Sequence, residues 1–119
     1  MILATALASL LWGCGATQPV VETHYRSRSL QEQGDLRVGE YISSQWSLQT
    51  ASYWIEGPEG LVLIDTQLLP SALRKELAFA KDVTGKEAKL AIVLHANPES
   101  FNGTALLKEL GVPVVTSGP

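Results

Sequence analysis

The alternation of hydrophobic and polar positions changes period several times along this chain, and each change marks an element. Residues 36–43 keep a loose alternation of Leu36, Val38 and Ile42, interrupted by Gly39, which reads as a strand. Residues 46–56 alternate better, through Trp46, Leu48 and Thr50 to Tyr53, Trp54 and Ile55, and are rich in β-forming side chains. Gly57, Pro58, Glu59 and Gly60 supply dense turn chemistry, and the continuous apolar run at residues 61–64 reads as a fully buried strand closing a hairpin. Residues 70–83 then switch to helical spacing. Pro70 suits the first turn, Leu73, Leu77 and Ala80 share a face, Arg74, Lys75, Lys81 and Asp82 occupy the rest, and Gly85 ends the helix. A buried strand at 90–94, a second helix at about 103–110 and a third buried strand at 112–116 follow. Asn102 is placed to cap that second helix and Gly111 to stop it.

From residue 61 the order is therefore strand, helix, strand, helix, strand, with connections of a length that suits parallel crossovers. A mixed sheet with helices on one face is expected. Three polar features fall at carboxyl ends of strands, where open α/β sheets place ligands: Asp65 with Thr66, residues 95–101, and Thr116 with Ser117.

The amino-terminal residues have a different character. Residues 1–12 are almost unbroken apolar, too short to span a bilayer at about 20 residues but fitting the core of a signal peptide. Leu11, Trp12, Gly13 and Cys14 resemble the lipobox of bacterial lipoproteins, although Trp12 is bulkier than the usual occupant and no Lys or Arg precedes the run. That resemblance implies cleavage after Gly13 and lipidation of the Cys14 thiol, with enough acyl chain for stable attachment. The expected division is a signal peptide at 1–13, a polar tether at 14–35 and a domain at 36–119, anchored to the bacterial cell envelope and facing the periplasm. The alternative is a buried helix with a core cysteine. His24 falls in the tether with no evident partner.

Composition sharpens this picture in two ways. Hydrophobic residues make up 45% of the 119 and charged residues 18%, so the chain can bury a core. The net charge of -3 and the scatter of nine basic residues give no footprint for nucleic acid, and one cysteine excludes an internal disulfide or a paired-cysteine metal knuckle.

The run from Glu56 through Leu61, Val62, Leu63 and Ile64 to Asp65 and Thr66, followed after one helix by Leu94, His95, Ala96, Asn97, Pro98, Glu99, Ser100, Phe101, Asn102 and Gly103, resembles the metallo-β-lactamase superfamily. The likeness covers roughly residues 47–119. It implies a fold of α/β class and α+β sandwich type: part of an αββα arrangement, of which this chain supplies about one half. The family's loop reads His-x-His-x-Asp-His and holds zinc, whose bound hydroxide is the nucleophile at neutral pH. Here His95 matches the first His, while Asn97, Glu99 and Ser100 stand at the second His, the Asp and the last His. A neutral amide and a hydroxyl are poor zinc ligands beside imidazole, and Glu99 reaches one methylene further than Asp.

The expected ligand set is thus vestigial: His95 and Glu99, with Asp65 and Asn97 in supporting roles and no catalytic residue assigned. Zinc enters only if the full-length domain supplies further ligands, since the family's later ones fall beyond residue 119. Any activity would be that of a metallo-hydrolase, and zinc hydrolysis by this chain alone is not expected. The alternative is a non-catalytic envelope lipoprotein that keeps the fold for binding or scaffolding. For each residue a plainer role competes: His95 as a hydrogen-bonded strand end, Asp65 with Thr66 as turn residues holding backbone N–H groups, Asn97 with Pro98 as a turn, and Trp46, Tyr53 and Trp54 as core. Ser100 as a nucleophile has only His95 for a base. An uncovered apolar sheet face would call for a protein partner or a continuation of the domain. No feature of the sequence specifies a small-molecule substrate.

Overall fold

The computed structural model describes residues 37–116 together with the backbone of 23–26. The segment expected to be a signal peptide, Cys14, Leu36 and Ser117 lie outside the described residues. Six strands form one mixed sheet in sequence order: β1 (Thr23–Arg26), β2 (Val38–Ile42), β3 (Ala51–Glu56), β4 (Leu61–Ile64), β5 (Ala88–Val93) and β6 (Val114–Thr116). The first four pair antiparallel, and β4–β5 and β5–β6 pair parallel across helical crossovers. The long crossover is α1 (Pro70–Thr84), and the second contains two short helices, α2 (Pro98–Phe101) and α3 (Thr104–Glu109). No helix among the described residues is long and apolar enough to cross a membrane.

Helix α1 forms where helical spacing ends the strand pattern. Pro70 occupies its first turn, and Gly85 closes it with a left-handed φ of 72°. Its buried stripe, led by Leu73 and Ala80, packs on Tyr41, Trp54, Leu61, Leu63 and Ala91 of the sheet, with Leu106 and Leu107 of α3 completing the core. The helices thus cover one face. On the other, Tyr53, Ile55 and Val115 are exposed and Val62, Ile64, Leu90 and Ile92 half-buried.

Four expectations are corrected. β4 is not buried on both faces: Leu61 and Leu63 are enclosed, but Val62 and Ile64 face the uncovered side. Residues 46–50 are not strand, because Gln45–Ser47 is a 3-10 turn, followed by Leu48 and Gln49 in left-handed conformation at φ 58° and 50°. The Ser43 hydroxyl drives that turn by donating to the Ser47 carbonyl (3.1 Å) and accepting from the Thr50 N–H (3.0 Å), which leaves Trp46 and Leu48 each 74% exposed. The second helix is broken into two at Asn102 and Gly103, so Asn102 is the C-cap of α2 and Gly103 takes the N-cap position of α3, while Asn97 holds the N-cap position of α2 through its extended backbone. Finally, β1 lies within the stretch expected to be tether. It pairs with β2, setting His24 opposite Tyr41 in the register.

Candidate functional site

The parallel strands end together, so Asp65 after β4, His95 after β5 and Thr116 at the end of β6 share one edge of the sheet. Between β4 and α1 the backbone is unusual: Asp65 and Gln67 both take left-handed φ, at 62° and 75°. For side chains with a Cβ this conformation costs about 1–2 kcal/mol each and persists only where surrounding bonds fix it. Those bonds are present. The Asp65 N–H donates to the Ile92 carbonyl (2.9 Å), and Asp65 Oδ1 accepts from the Leu94 N–H (2.9 Å), one residue before His95.

Thr66 makes the second tie. It is fully buried, its hydroxyl donates to the Ser100 carbonyl (2.8 Å), and the same oxygen accepts from the Gly103 N–H (3.1 Å). Gly103 fits only because it lacks a side chain: a Cβ there would overlap the Thr66 carbonyl and press on Leu73. One hydroxyl therefore pins both ends of the turn that carries residues 100–103.

Within this frame His95, Asn97 and Glu99 are exposed and Ser100 is buried. Among the described residues, no group of three His, Cys, Asp or Glu side chains is placed to hold a metal ion. The loop offers one imidazole, His95, and one carboxylate, Glu99, beside the amide of Asn97 and the enclosed hydroxyl of Ser100. These residues do not fit a two-zinc centre. Beside the loop, Val93, His95, Phe101, Thr104 and Thr116 line an open groove of about 550 Å³, largely apolar. Of the aromatics considered for the core, Trp54 is fully buried, Tyr53 half-exposed at the outer face and Trp46 in solvent.

A buried polar group behind the site was not anticipated. Gln67 Nε2 donates to Ser52 Oγ (2.6 Å) and to the Thr50 carbonyl (3.2 Å), and Glu76 of α1 reaches the same layer with no exposure at all. The signal was present: Glu76 falls three residues after Leu73 and four before Ala80, on the apolar stripe itself.

No protein-family model matches the sequence, and no curated protein does. Solved structures do match. The chain superposes on the FIM-1 metallo-β-lactamase of Pseudomonas aeruginosa, in a mono-zinc form, with a TM-score of 0.67 at 17% identity, covering 83% of this chain and 43% of that one. A metallo-β-lactamase from Pontibacter korlensis gives 0.65 at 21% identity, covering 82% and 44%, and the enzyme TMB-1 gives 0.62 at 13%, covering 82% and 43%. The chain thus spans a little under half the length of these structures and has the corresponding part of a metallo-β-lactamase fold.

Proposed function

We propose that this protein is a lipid-anchored component of the bacterial cell envelope, facing the periplasm, in which a hydrolase-like fold is kept for binding or scaffolding and not for zinc chemistry. The observation that carries the reading is the donor set of the loop. His95 and Glu99 are its only strong ligands, Asn97 and Ser100 replace imidazoles, and no third ligand converges on them among the described residues. What holds the loop instead is protein: Asp65 fixes the Leu94 N–H, and Thr66 fixes Ser100 and Gly103. The envelope location rests on the apolar run ahead of Leu11, Trp12, Gly13 and Cys14.

A second reading, a mononuclear metallo-hydrolase, has one point in its favour. His95 and Glu99 are both open to solvent at the carboxyl edge of the sheet, and a structure of this fold is known in a mono-zinc form. Metal analysis of the purified full-length product separates the two. The expected result is zinc well below one equivalent, unchanged by His95→Ala. One zinc per chain, lost in His95→Ala, would overturn the non-metal reading and establish the second.

A further inference from the structure

Glu76 sits in the middle of α1 on its sheet-facing stripe, among Leu73, Leu77 and Ala80, with no exposure to solvent. An ionised carboxylate cannot remain in such a place without partners, because desolvation strongly disfavours the charge. Neither of its oxygens meets a partner at full hydrogen-bond geometry, and nor does Gln67 Oε1. The Gln67 amide cannot turn round to help. Its nitrogen already faces the Thr50 carbonyl, an obligate acceptor, and Ser52 Oγ. The layer therefore holds three buried acceptor oxygens without a full partner, and the Ser52 hydroxyl beside them is the one donor near Glu76.

Among the described residues, the surrounding elements bring no compensating cation. Towards this layer β3 presents Ser52 and Trp54, β4 Leu61 and Leu63, β5 Ala91 and Val93, and α3 Leu106 and Leu107. β2 presents Tyr41, whose phenol is the one other titratable group there. The charged residues of α1 other than Glu76, namely Arg74, Lys75, Lys81 and Asp82, are all exposed.

We propose that Glu76 is a resident proton-binding group: it is carried as the neutral acid, its O–H adds a donor for the unpartnered acceptor oxygen of Gln67, and loss of that proton loosens the strained turn that bears Asp65 and Thr66. The route is short. Gln67 ends the left-handed stretch that begins at Asp65, and its amide bonds to Thr50 and Ser52 are what tie it to the sheet. A charged Glu76 would draw water into this layer, and that water competes for the bonds of Gln67 to Thr50 and Ser52. Burial pushes the Glu76 carboxyl from its ordinary 4.5 up to about 8, with the nearby Ser52 hydroxyl pulling it back in part.

The sign follows from linkage. Between those two values the folded chain holds a proton that the unfolded chain has released, so stability falls as pH rises through that window and levels off above it. The stabilising condition is the acidic side.

The test uses the full chain and its Glu76→Gln variant, whose amide is neutral at every pH and keeps a donor. Unfolding midpoints are measured from about pH 5 to about pH 9, the window that linkage assigns. The wild-type midpoint is expected to fall across this range by more than that of Glu76→Gln. Amide exchange at Leu94 and Gly103, corrected for intrinsic rate, is expected to quicken at the alkaline end in the wild type only. Should the variant fail to fold, infrared spectroscopy of the wild type decides, through a protonated-carboxyl stretch at neutral pH that disappears on the alkaline side. Equal pH slopes in the two proteins, or no such stretch, would overturn the proposal. So would a wild-type midpoint that rises with added sodium or potassium and is lowered at all pH values in Glu76→Gln, which would assign the acceptors to a bound cation.

Discussion

At the scale of single residues, the most consequential atom in the candidate site is the Thr66 hydroxyl oxygen. It bonds two backbone groups of one turn, 34 and 37 residues away in sequence, from a fully buried position. Thr66→Val keeps the branched shape and removes only the oxygen. The Ser100 carbonyl and the Gly103 N–H would then be buried without partners, at about 1–3 kcal/mol for each such group. A loss of about 2–6 kcal/mol is therefore expected for the pair, read as a lowered urea midpoint with an unchanged denaturant slope. A loss below about 0.5 kcal/mol, the range of ordinary surface substitutions, would show that water reaches this layer after all. The exposed Lys81–Glu87 pair makes the contrast. Its 2.7 Å contact and the lysine's charge hold the Glu87 carboxyl below its ordinary range, yet an ion pair so open to solvent contributes little to stability.

At the scale of elements, glycine placement shows why the strands pack as they do. Gly39 reads in the sequence as an interruption of β2, but in the register it lies directly opposite Trp54 of β3. A Cβ on Gly39 would fall within the Trp54 indole, which is fully buried and stands edge-on to Phe79 at 5.9 Å between centroids. Gly39→Ala must push that indole into a filled core, so a loss of about 1–3 kcal/mol is expected, with weaker near-ultraviolet dichroism from the tryptophan. A Gly39→Ala variant as stable as the wild type would mean that β2 can shift away from the core.

Periodicity made α1 legible because a proline, a three-four spacing and a terminal glycine all agree over 15 residues. The turn at residues 43–50 was not legible, because Ser43 organises it through two backbone contacts and Leu48 and Gln49 take conformations that their residue types do not announce. The candidate site divides in the same way. Asp65, Thr66 and His95 were marked by their places at strand ends. The Thr66–Gly103 contact and the burial of Gln67 depend on how a crossover folds back, which no local pattern encodes.

For the whole molecule, the unequal faces of the sheet and the amino-terminal segment bear on one question, where the protein resides. One face is sealed by helices, while the other presents Tyr53, Ile55 and Val115 to solvent beside half-buried Val62, Ile64, Leu90 and Ile92. The chain spans only 43% of the FIM-1 structure, and we propose that a further part of the domain or a partner protein covers this side. The proposed anchor is independent of that face and is open to direct attack. A lipidated cysteine carries acyl chains that each add about 0.8 kcal/mol per buried CH₂, so two or more chains hold a protein in the membrane fraction through washing. Cys14→Ser removes the only thiol of the chain and with it the site of attachment. The expected outcome in a bacterial host is loss of fatty-acid labelling and a shift from detergent-soluble membrane to soluble fractions, with the precursor retaining residues 1–13. High-salt washing should not release the wild type, since the attachment is hydrophobic and a net charge of -3 favours no anionic surface. If Cys14→Ser stays in the membrane fraction and the wild type takes up no label, the lipoprotein reading fails, and the apolar run at residues 1–12 must be explained as part of the folded protein.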